Sequence, residues 1–308
     1  MKWVATTPLI SLDTETTSKY PDEARVIDIA AAYVTPGQPL DLRQAYVNPG
    51  VPIPPESTEV HGLTDEFIEA NGKPSAEVLD LYLTEIAEAM RAGAALVVQN
   101  ARYDLTVLDR EARRLGIPPL TDRLGGSVRP VVDPIVLDKR LIKYRSRVSE
   151  KQGPRVLKTL ADIYGVAWED DKAHGAAYDA VITARVLWKM AGWCALPRPQ
   201  LLQRQTCRSA TWKKVRPEDA AWFEAVGAMS PGELHEAQVG WAAEQAEGLA
   251  VHWQSQAAEK RELAGRDDPP GDEALDADER RRVLLDESAQ LEHDAAGIST
   301  EWPLAVAA

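Results

Sequence analysis

The sequence predicts an α/β fold built on a mixed β-sheet. Three apolar runs near the N-terminus, residues 9–12, 26–34 and 43–47, are predicted to be strands. Their connections are too short for crossover helices, which favours an antiparallel meander. Further along, an apolar run at 94–98 leads directly into an amphipathic segment at 103–115, the pattern of a parallel strand followed by its helix. These observations predict antiparallel and parallel strands in one sheet.

The remaining elements follow from hydrophobic periodicity and from helix start and stop signals. Residues 75–91 have the spacing of an amphipathic helix, and residues 128–132 form a fifth predicted strand that ends at Asp133. Further helices are predicted at 155–164 and 176–191. The expected architecture is therefore a five-stranded mixed sheet flanked by helices.

The chain is expected to divide into three segments. Residues 1–194 are predicted to form one domain, and a length of 308 residues with 44% hydrophobic content can support its core. Residues 195–264 are predicted to be a linker and a long helix docked on that domain. Residues 265–308 are predicted to be an acidic, partly flexible tail with a charged helix. The α/β domain would thus carry a helical C-terminal extension.

The composition predicts a cytoplasmic protein without a membrane partner. No apolar run is long enough for a membrane span, no signal-peptide pattern is present, and Cys194 and Cys207 match no metal or redox spacing. The formal net charge of −13 disfavours a nucleic-acid partner. Of the 35 basic and 48 acidic residues, however, 12 and 21 lie from Ala195 onward, which leaves 23 and 27 before it. A nucleic-acid partner for the first domain therefore stays open.

Two carboxylates stand at the end of the first predicted strand. Asp13 and Glu15 are two residues apart, so an extended backbone points both side chains to one face of the sheet. Two like charges at this distance resist ionising together unless a cation lies between them, and oxygen ligands favour Mg²⁺ or Mn²⁺. A hairpin turn with solvated acids is the alternative interpretation of this stretch.

Two further acids and a histidine occupy suitable positions. Asp104 lies one turn into the helix that follows the strand at 94–98, and Asp179 lies in the first turns of the helix at 176–191. Each alone could be a solvated or helix-start acid. His174 comes five residues before Asp179, which is not a same-face helical spacing, so we expect it in the preceding loop. Next to several carboxylates it becomes a candidate general base.

These residues lie in three segments that resemble the motifs of the DEDD exonuclease superfamily. The segments are LDTETT at 12–17, QNARYD at 99–104 and HGAAYD at 174–179. The stretch from 48 to 66, which contains NPG and VHGLTDE, is similar to the epsilon proofreading subunit of DNA polymerase III. The resemblance covers roughly residues 6–192. The later segment LHEAQVGW, at 234–241, is similar to stand-alone actinobacterial or phage members.

The resemblance is to the histidine branch, DEDDh or DnaQ-like, because His174 stands five residues before the last aspartate. Tyr178 does not fit the tyrosine branch, whose tyrosine stands four residues before it. Two positions depart from the family pattern. Ser18 replaces the glycine that often follows the two threonines, and Gln99 replaces the histidine that usually begins the second motif. Neither departure removes a ligand.

The resemblance implies a ribonuclease H-like fold and two-metal hydrolysis of a 3′-terminal phosphodiester. The implied ligands of two Mg²⁺ or Mn²⁺ ions, about 3.5–4 Å apart, are Asp13, Glu15, Asp104 and Asp179. His174 would help to generate the attacking hydroxide. The implied contacts to the terminal nucleotide include Thr14, Thr16 and Asn100.

A basic stretch is the predicted track for phosphates. Residues 123–158 contain ten basic and three acidic residues. The candidate contacts are Arg145, Arg147, Lys151 and Arg155. A solvated loop and helix face is the alternative.

The function expected from these observations is 3′→5′ exonuclease activity on single-stranded DNA. Two alternatives stay open at this point, an exoribonuclease acting on short RNA and a silent nucleic-acid-binding or scaffold subunit. Association with a polymerase and homo-oligomerisation are left open as well.

Overall fold

The computed structural model describes residues 1–149, 152–206, 214–272 and 274–303. The chain divides into two compact units, Met1–Gln238 and Val239–Ala308. The first unit contains the sheet. It extends past residue 194, where the sequence predicted a domain boundary. The predicted docking of the helix beyond Gln238 on the first domain stays a prediction.

The sheet has six strands in the order β4-β3-β2-β1-β5-β6. The strands are β1 Leu9–Thr16, β2 Val26–Val34, β3 Asp41–Asn48, β4 Lys73–Pro74, β5 Ala95–Val98 and β6 Val131–Val132. β2 is antiparallel to both β1 and β3, whereas β5 is parallel to β1 and to β6. The mixed sheet predicted from the sequence is therefore confirmed, and β1 lies at the junction between its antiparallel and parallel halves.

Two details of the sheet differ from the prediction. A sixth strand, β4, pairs with β3. β4 has only two residues and is too short to leave a periodic signal in the sequence. The fifth predicted strand, 128–132, is reduced to Val131–Val132. Pro130 immediately precedes it and has no amide hydrogen to donate to a ladder.

Helices flank the sheet, as expected. The helices of the two units together are α1 Pro55–His61, α2 Asp65–Asn71, α3 Ser75–Arg91, α4 Ala101–Leu115, α5 Leu120–Leu124, α6 Pro134–Leu141, α7 Leu157–Tyr164, α8 Ala176–Cys194, α9 Arg198–Leu201, α10 Pro217–Ala228, α11 Pro231–Ala264 and α12 Ala277–Ala296. The long amphipathic helices predicted before residue 195 correspond to α3, α4, α7 and α8. Among the described residues, no helix is long and apolar enough to cross a membrane.

Small side chains bring α8 close to the sheet. Ala30 and Ala32 of β2 pack against Ala176 and Ala180 of α8, and all four are fully buried. Because alanine is short, the helix axis can approach the strands closely. This contact fixes the first turn of α8, which carries Asp179, beside the end of β1.

The second unit is helical. It contains the C-terminal part of α11 and all of α12, whose N-terminus has a capping box formed by Asp276 and Glu279. The hydroxyl of Ser288 donates to the carbonyl of Ala257 at 2.9 Å, which joins the two helices. α12 lies in the segment where the sequence predicts a charged helix.

Candidate active site

The central strand β1 presents two of the predicted acids. Asp13 and Glu15 are alternate residues of β1, so both lie on one face of the sheet, and Glu15 stands opposite Asp28 of β2. Asp179 comes from the first turn of α8. Asp13, Glu15 and Asp179 each offer an oxygen atom that lies within 4.8 Å of the other two. The fold thus brings Asp179 next to Asp13 and Glu15, although Asp13 and Asp179 are 166 residues apart in sequence.

Asp104, the fourth predicted acid, lies beside this group but is held separately. It sits in the first turn of α4, is 4% exposed, and accepts a hydrogen bond of 2.7 Å from the hydroxyl of Thr14. Its charge raises the pKa of Asp13, which places it within electrostatic range of the three-carboxylate group. Asp104 is therefore oriented by β1 itself.

The pKa values of all four acids are raised, and burial is the largest cause for each. Neighbouring carboxylates of the site add to the shift for two of them: the pKa of Asp13 lies well above its usual range and that of Glu15 is raised to about 8. The pKa of Asp104 is raised to about 7 and that of Asp179 to about 6. One buried acid, Asp104, and three half-buried acids that resist ionising together form an oxygen donor set that a hard divalent cation would satisfy.

The free oxygen atoms at this site support the same assignment. Oδ1 of Asp179 is buried and, within the described part of the chain, has no hydrogen-bond partner. Buried carboxylate oxygens are normally paired, and an unpaired one is costly. The residues present therefore fit a divalent metal.

His174 lies in the loop before α8, as predicted. Its side chain is exposed, and its backbone φ of 60° is in the left-handed region, which non-glycine residues occupy at a cost. Its backbone amide donates to Asp179. The loop is anchored by Tyr178, whose hydroxyl accepts from the amide of Glu169 at 2.6 Å. Tyr178 is thus engaged in holding the loop that carries His174.

The structure gives Thr14 and Thr16 contacts within the protein. Thr14 is 8% exposed and its hydroxyl is used by Asp104, so its position does not support the predicted nucleotide contact. The hydroxyl of Thr16 donates to the carbonyl of Ser18 at 3.1 Å and also pairs with the hydroxyl of Tyr103. Both threonines position the end of β1.

Asp133 orients the start of α4, a role that the sequence did not indicate. Its carboxylate accepts hydrogen bonds from the amides of Asn100 at 3.2 Å and Ala101 at 2.9 Å, and it also caps α6 through the amide of Ile135 at 2.8 Å. Asn100 is exposed and has a left-handed φ of 62°. In the sequence, the Asp-Pro pair at 133–134 could be recognised only as the end of a strand.

Asp28 is a second buried acid that sequence reasoning missed. One carboxylate oxygen accepts from the side chain of Gln44 at 2.8 Å and from the amide of Ala176 at 3.3 Å. Burial raises the pKa of Asp28 to about 6. It therefore ties β2, β3 and the N-terminus of α8 together next to Glu15.

Two of the predicted phosphate contacts are internal. The side chain of Arg145 is 1% exposed and forms an ion pair of 2.6 Å with fully buried Asp138. Arg155, 12% exposed, pairs with the same carboxylate at 2.8 Å, and the hydroxyl of Tyr164 donates to it at 2.7 Å. Contacts from Arg145 and Arg155 to phosphate are not supported, because breaking either pair would leave a buried charge uncompensated.

The other two candidates differ from these. Arg147 is exposed at the surface, and Lys151 lies outside the described residues. The side chain of Gln99 donates to the carbonyl of Arg155 at 3.3 Å, which links the second motif to the buried arginine pair.

The beginning of α11 closes the edge of the sheet beside this site. Nδ1 of His235 accepts from the amide of Val131 at 3.2 Å. The side chain of Gln238 accepts from the amide of Asp133 at 3.0 Å and donates to the carbonyl of Val131 at 3.2 Å. The two side chains replace a further strand at β6. Both residues belong to the segment LHEAQVGW, whose similarity to other family members was visible in the sequence. Only the fold shows that this segment contacts β6 and Asp133.

The architecture defines a class of protein. A ribonuclease H-like mixed sheet carries acids at the end of its central strand and at the starts of two helices, which is the arrangement of a metal-dependent nuclease. The family model described as Exonuclease, RNase T, matches residues 10–187, more than half of the chain. The protein belongs to this exonuclease family and is of the DEDDh, DnaQ-like type.

Known proteins with similar sequences include subunits of DNA polymerase III. The chain is 28% identical to a PolC-type DNA polymerase III of Lactococcus lactis over 222 residues, 70% of this chain and 12% of the polymerase. It is 30% identical to the DNA polymerase III subunit epsilon of Haemophilus influenzae over 138 residues, 45% of this chain and 47% of the subunit. The chain thus spans a small part of the first relative and about half the length of the second.

A solved structure of a moderately thermophilic exonuclease I from Methylocaldum szegediense is also similar. It aligns with a TM-score of 0.48 and 19% sequence identity, over 60% of this chain and 40% of that chain.

Proposed function

We propose that the protein is a metal-dependent 3′→5′ exonuclease that releases nucleotides from the 3′ end of single-stranded DNA. The observation that carries the proposal is the convergence of Asp13, Glu15 and Asp179, with Asp104 beside them. His174 lies on the loop next to this group. A scaffold subunit without chemistry would have no need of four mutually destabilising acids, and the complete set supports an active enzyme.

The four acids would hold two Mg²⁺ or Mn²⁺ ions. Oxygen ligands and the repulsion among the carboxylates favour such ions over softer metals. When bound, the ions would supply positive charge to the scissile phosphate and to the departing 3′ oxygen.

The protein residues have separate tasks in this proposal. His174 accepts the proton of the attacking water, for which its exposed position next to Asp179 is suitable. Thr14 orients Asp104 through its hydroxyl, and Asp133 orients the helix that carries Asp104. Asp28 holds the start of α8 beside Glu15.

We also propose that the enzyme acts without a polymerase subunit. The relatives named above are polymerase III proteins, so association with a polymerase is the competing proposal. The acids and His174 all come from this chain, which supports activity of the protein alone. If hydrolysis appears only after a polymerase subunit is added, this part of the proposal is wrong.

The direct test uses matched DNA and RNA oligonucleotides that carry a label at the 5′ end. With Mg²⁺ or Mn²⁺, the DNA should shorten stepwise from its 3′ end and release nucleoside 5′-monophosphates. A phosphorothioate at the 3′-terminal linkage should slow the reaction, and the Asp13→Asn variant is the matched inactive control. Faster shortening of RNA would identify an exoribonuclease, and no shortening of either strand would refute the proposal.

A further inference from the structure

Two segments of the first unit are basic and contain no acid, although the whole chain has a net charge of −13. Residues 139–147 contain five basic residues and residues 195–216 contain six. They are separated by about 50 residues of sequence. Neither segment carries a proposed metal ligand or His174.

The fold brings these two segments together. A guanidinium nitrogen of Arg145 donates to the carbonyl of Thr206. The guanidinium carbon of Arg216 lies 5.3 Å from the centroid of the Tyr144 ring, and that of Arg140 lies 3.7 Å from the centroid of the Trp222 ring. The described residues of the two segments, 139–147, 195–206 and 214–216, therefore form one surface with α10.

This surface combines cationic and aromatic side chains. Tyr144 is 66% exposed and Trp222 is 36% exposed, so both aromatic side chains are accessible at the surface. The cationic–aromatic surface consists of Lys143, Tyr144, Arg147, Arg204, Lys214 and Trp222, all of which are exposed. Arg216, at its border, is paired with Asp219 at 2.8 Å and Glu218 at 3.1 Å.

A buried network connects this surface to the candidate active site. Asp138 binds both Arg145 and Arg155, and the carbonyl of Arg155 accepts from Gln99 at the end of β5. Arg145 and Arg155, which were predicted to contact phosphates, thus pack beneath the exposed side chains of this surface and pair with Asp138. Because the network is buried, it holds the segment 139–147 in a defined position relative to the sheet.

We propose that the cationic–aromatic surface binds single-stranded nucleic acid through its phosphates and its bases. Lysine and arginine side chains neutralise phosphates, and exposed aromatic rings stack on bases that are not paired. A duplex hides the faces of its bases, so the aromatic residues favour a single strand. The claim that this surface holds the part of the substrate away from its 3′ end rests on the proposed function. The claim that the surface binds single-stranded nucleic acid does not.

A paired set of double variants tests this proposal. Lys143→Gln/Tyr144→Ala removes one cation and one ring from the surface. Lys189→Gln/Trp188→Ala removes the same two types from α8, where Trp188 is 51% exposed and Lys189 is exposed. Binding of fluorescent oligothymidine of about 20 nucleotides is measured by anisotropy with EDTA present, so that hydrolysis plays no part. Melting temperatures verify that each variant is folded.

The surface variant should bind the oligonucleotide about tenfold more weakly, since one stacked base and one phosphate contact are lost. The slope of log affinity against log salt concentration should be smaller in magnitude by about one than that of the wild type. The α8 variant should bind like the wild type. Unchanged binding by the surface variant, equal losses in both variants, or equally tight binding of a duplex would overturn the proposal.

Hydrolysis separates this proposal from the proposed function. For a dinucleotide, which is too short to reach both sites, the surface variant should have unchanged kcat and KM. For the longer strand, KM should rise with little change in kcat. If the wild type hydrolyses neither substrate, the proposed function fails, while the binding measured with EDTA still decides whether the surface exists.

Discussion

Glu15 shows at the scale of one residue how the site opposes folding when no metal is bound. Burial, followed by the charges of Asp179, Asp28 and Asp104, raises its pKa from 4.5 to about 8. The folded protein therefore holds this proton more tightly than the unfolded chain does. The contribution of protonated Glu15 to the free energy of unfolding is fully present below about pH 4.5 and is lost as the pH rises to about 8.

Glu15→Gln should therefore stabilise the metal-free protein at about pH 8.5, by roughly 1–3 kcal/mol, and have little effect near pH 4.5. The same variant should lose most of the increase in melting temperature that Mn²⁺ gives the wild type, because one ligand is missing. Thermal unfolding at the two pH values, with and without Mn²⁺, measures both effects. Equal destabilisation at both pH values would contradict the repulsion that the structure indicates.

His174 should contribute to the rate and not to metal binding. It lies outside the three-carboxylate group, so His174→Ala leaves every proposed ligand in place. We expect the rate of hydrolysis to fall by about 10²–10⁴. Part of the loss should return at higher pH, where hydroxide is more abundant. Steady-state rates and a Mn²⁺ titration of the same sample measure the two properties. A loss of metal affinity as large as that of Asp179→Ala would show that His174 is a ligand or a structural support.

At the scale of elements, the edge of the sheet depends on residues far away in sequence. Gln238 pairs with the backbone of Val131 and Asp133, about 105 residues earlier. Gln238→Leu would leave two buried backbone groups without partners, and we expect it to lower the free energy of unfolding by about 1–3 kcal/mol. Since Asp133 orients α4, the rate of hydrolysis should fall as well.

Chemical denaturation and hydrolysis assays of Gln238→Leu measure these effects, with Gln200→Leu, at an exposed position of α9, as the control. If both variants behave alike, α11 is not needed at the sheet edge.

The sequence predicted several strands and helices but not the contacts between distant residues. β1 and β2 are marked by apolar runs, and α3 and α8 by the helical spacing of apolar residues; the structure contains all four. The pairing of Asp133 with α4, of Asp28 with α8, and of His235 with β6 involves residues distant in sequence. Single-sequence patterns contain no information about such contacts, so these residues could not be assigned.

The misplaced phosphate contacts have the same origin. Arg145 and Arg155 were predicted at the surface because arginine is usually exposed and the stretch is basic. Their partner Asp138 also lies in that stretch, but only the fold buries it and turns both arginines inward. Local charge therefore identified a basic stretch, whereas only the fold shows that Arg145 and Arg155 pair with a buried acid within it.

For the whole molecule, the distribution of charge is more informative than its total. The acidic excess belongs mostly to the C-terminal third, whereas two acid-free segments meet on the first unit. That unit ends at Gln238, so the side chains that close its sheet edge lie beyond the predicted boundary at 194. Any shortened form of the protein should therefore retain residues up to 238 if the sheet is to keep its edge.

The central claim is that the four acids hold the metal ions on which hydrolysis depends. A Mn²⁺ titration by calorimetry, paired with hydrolysis of single-stranded DNA by the same samples, tests it most directly. We expect two ions for the wild type, and a joint loss of binding and of at least about 10³-fold in rate for Asp13→Asn and Asp179→Asn. A variant of either acid that binds no Mn²⁺ but still shortens DNA at the wild-type rate would show that hydrolysis does not depend on metal ions held by these acids.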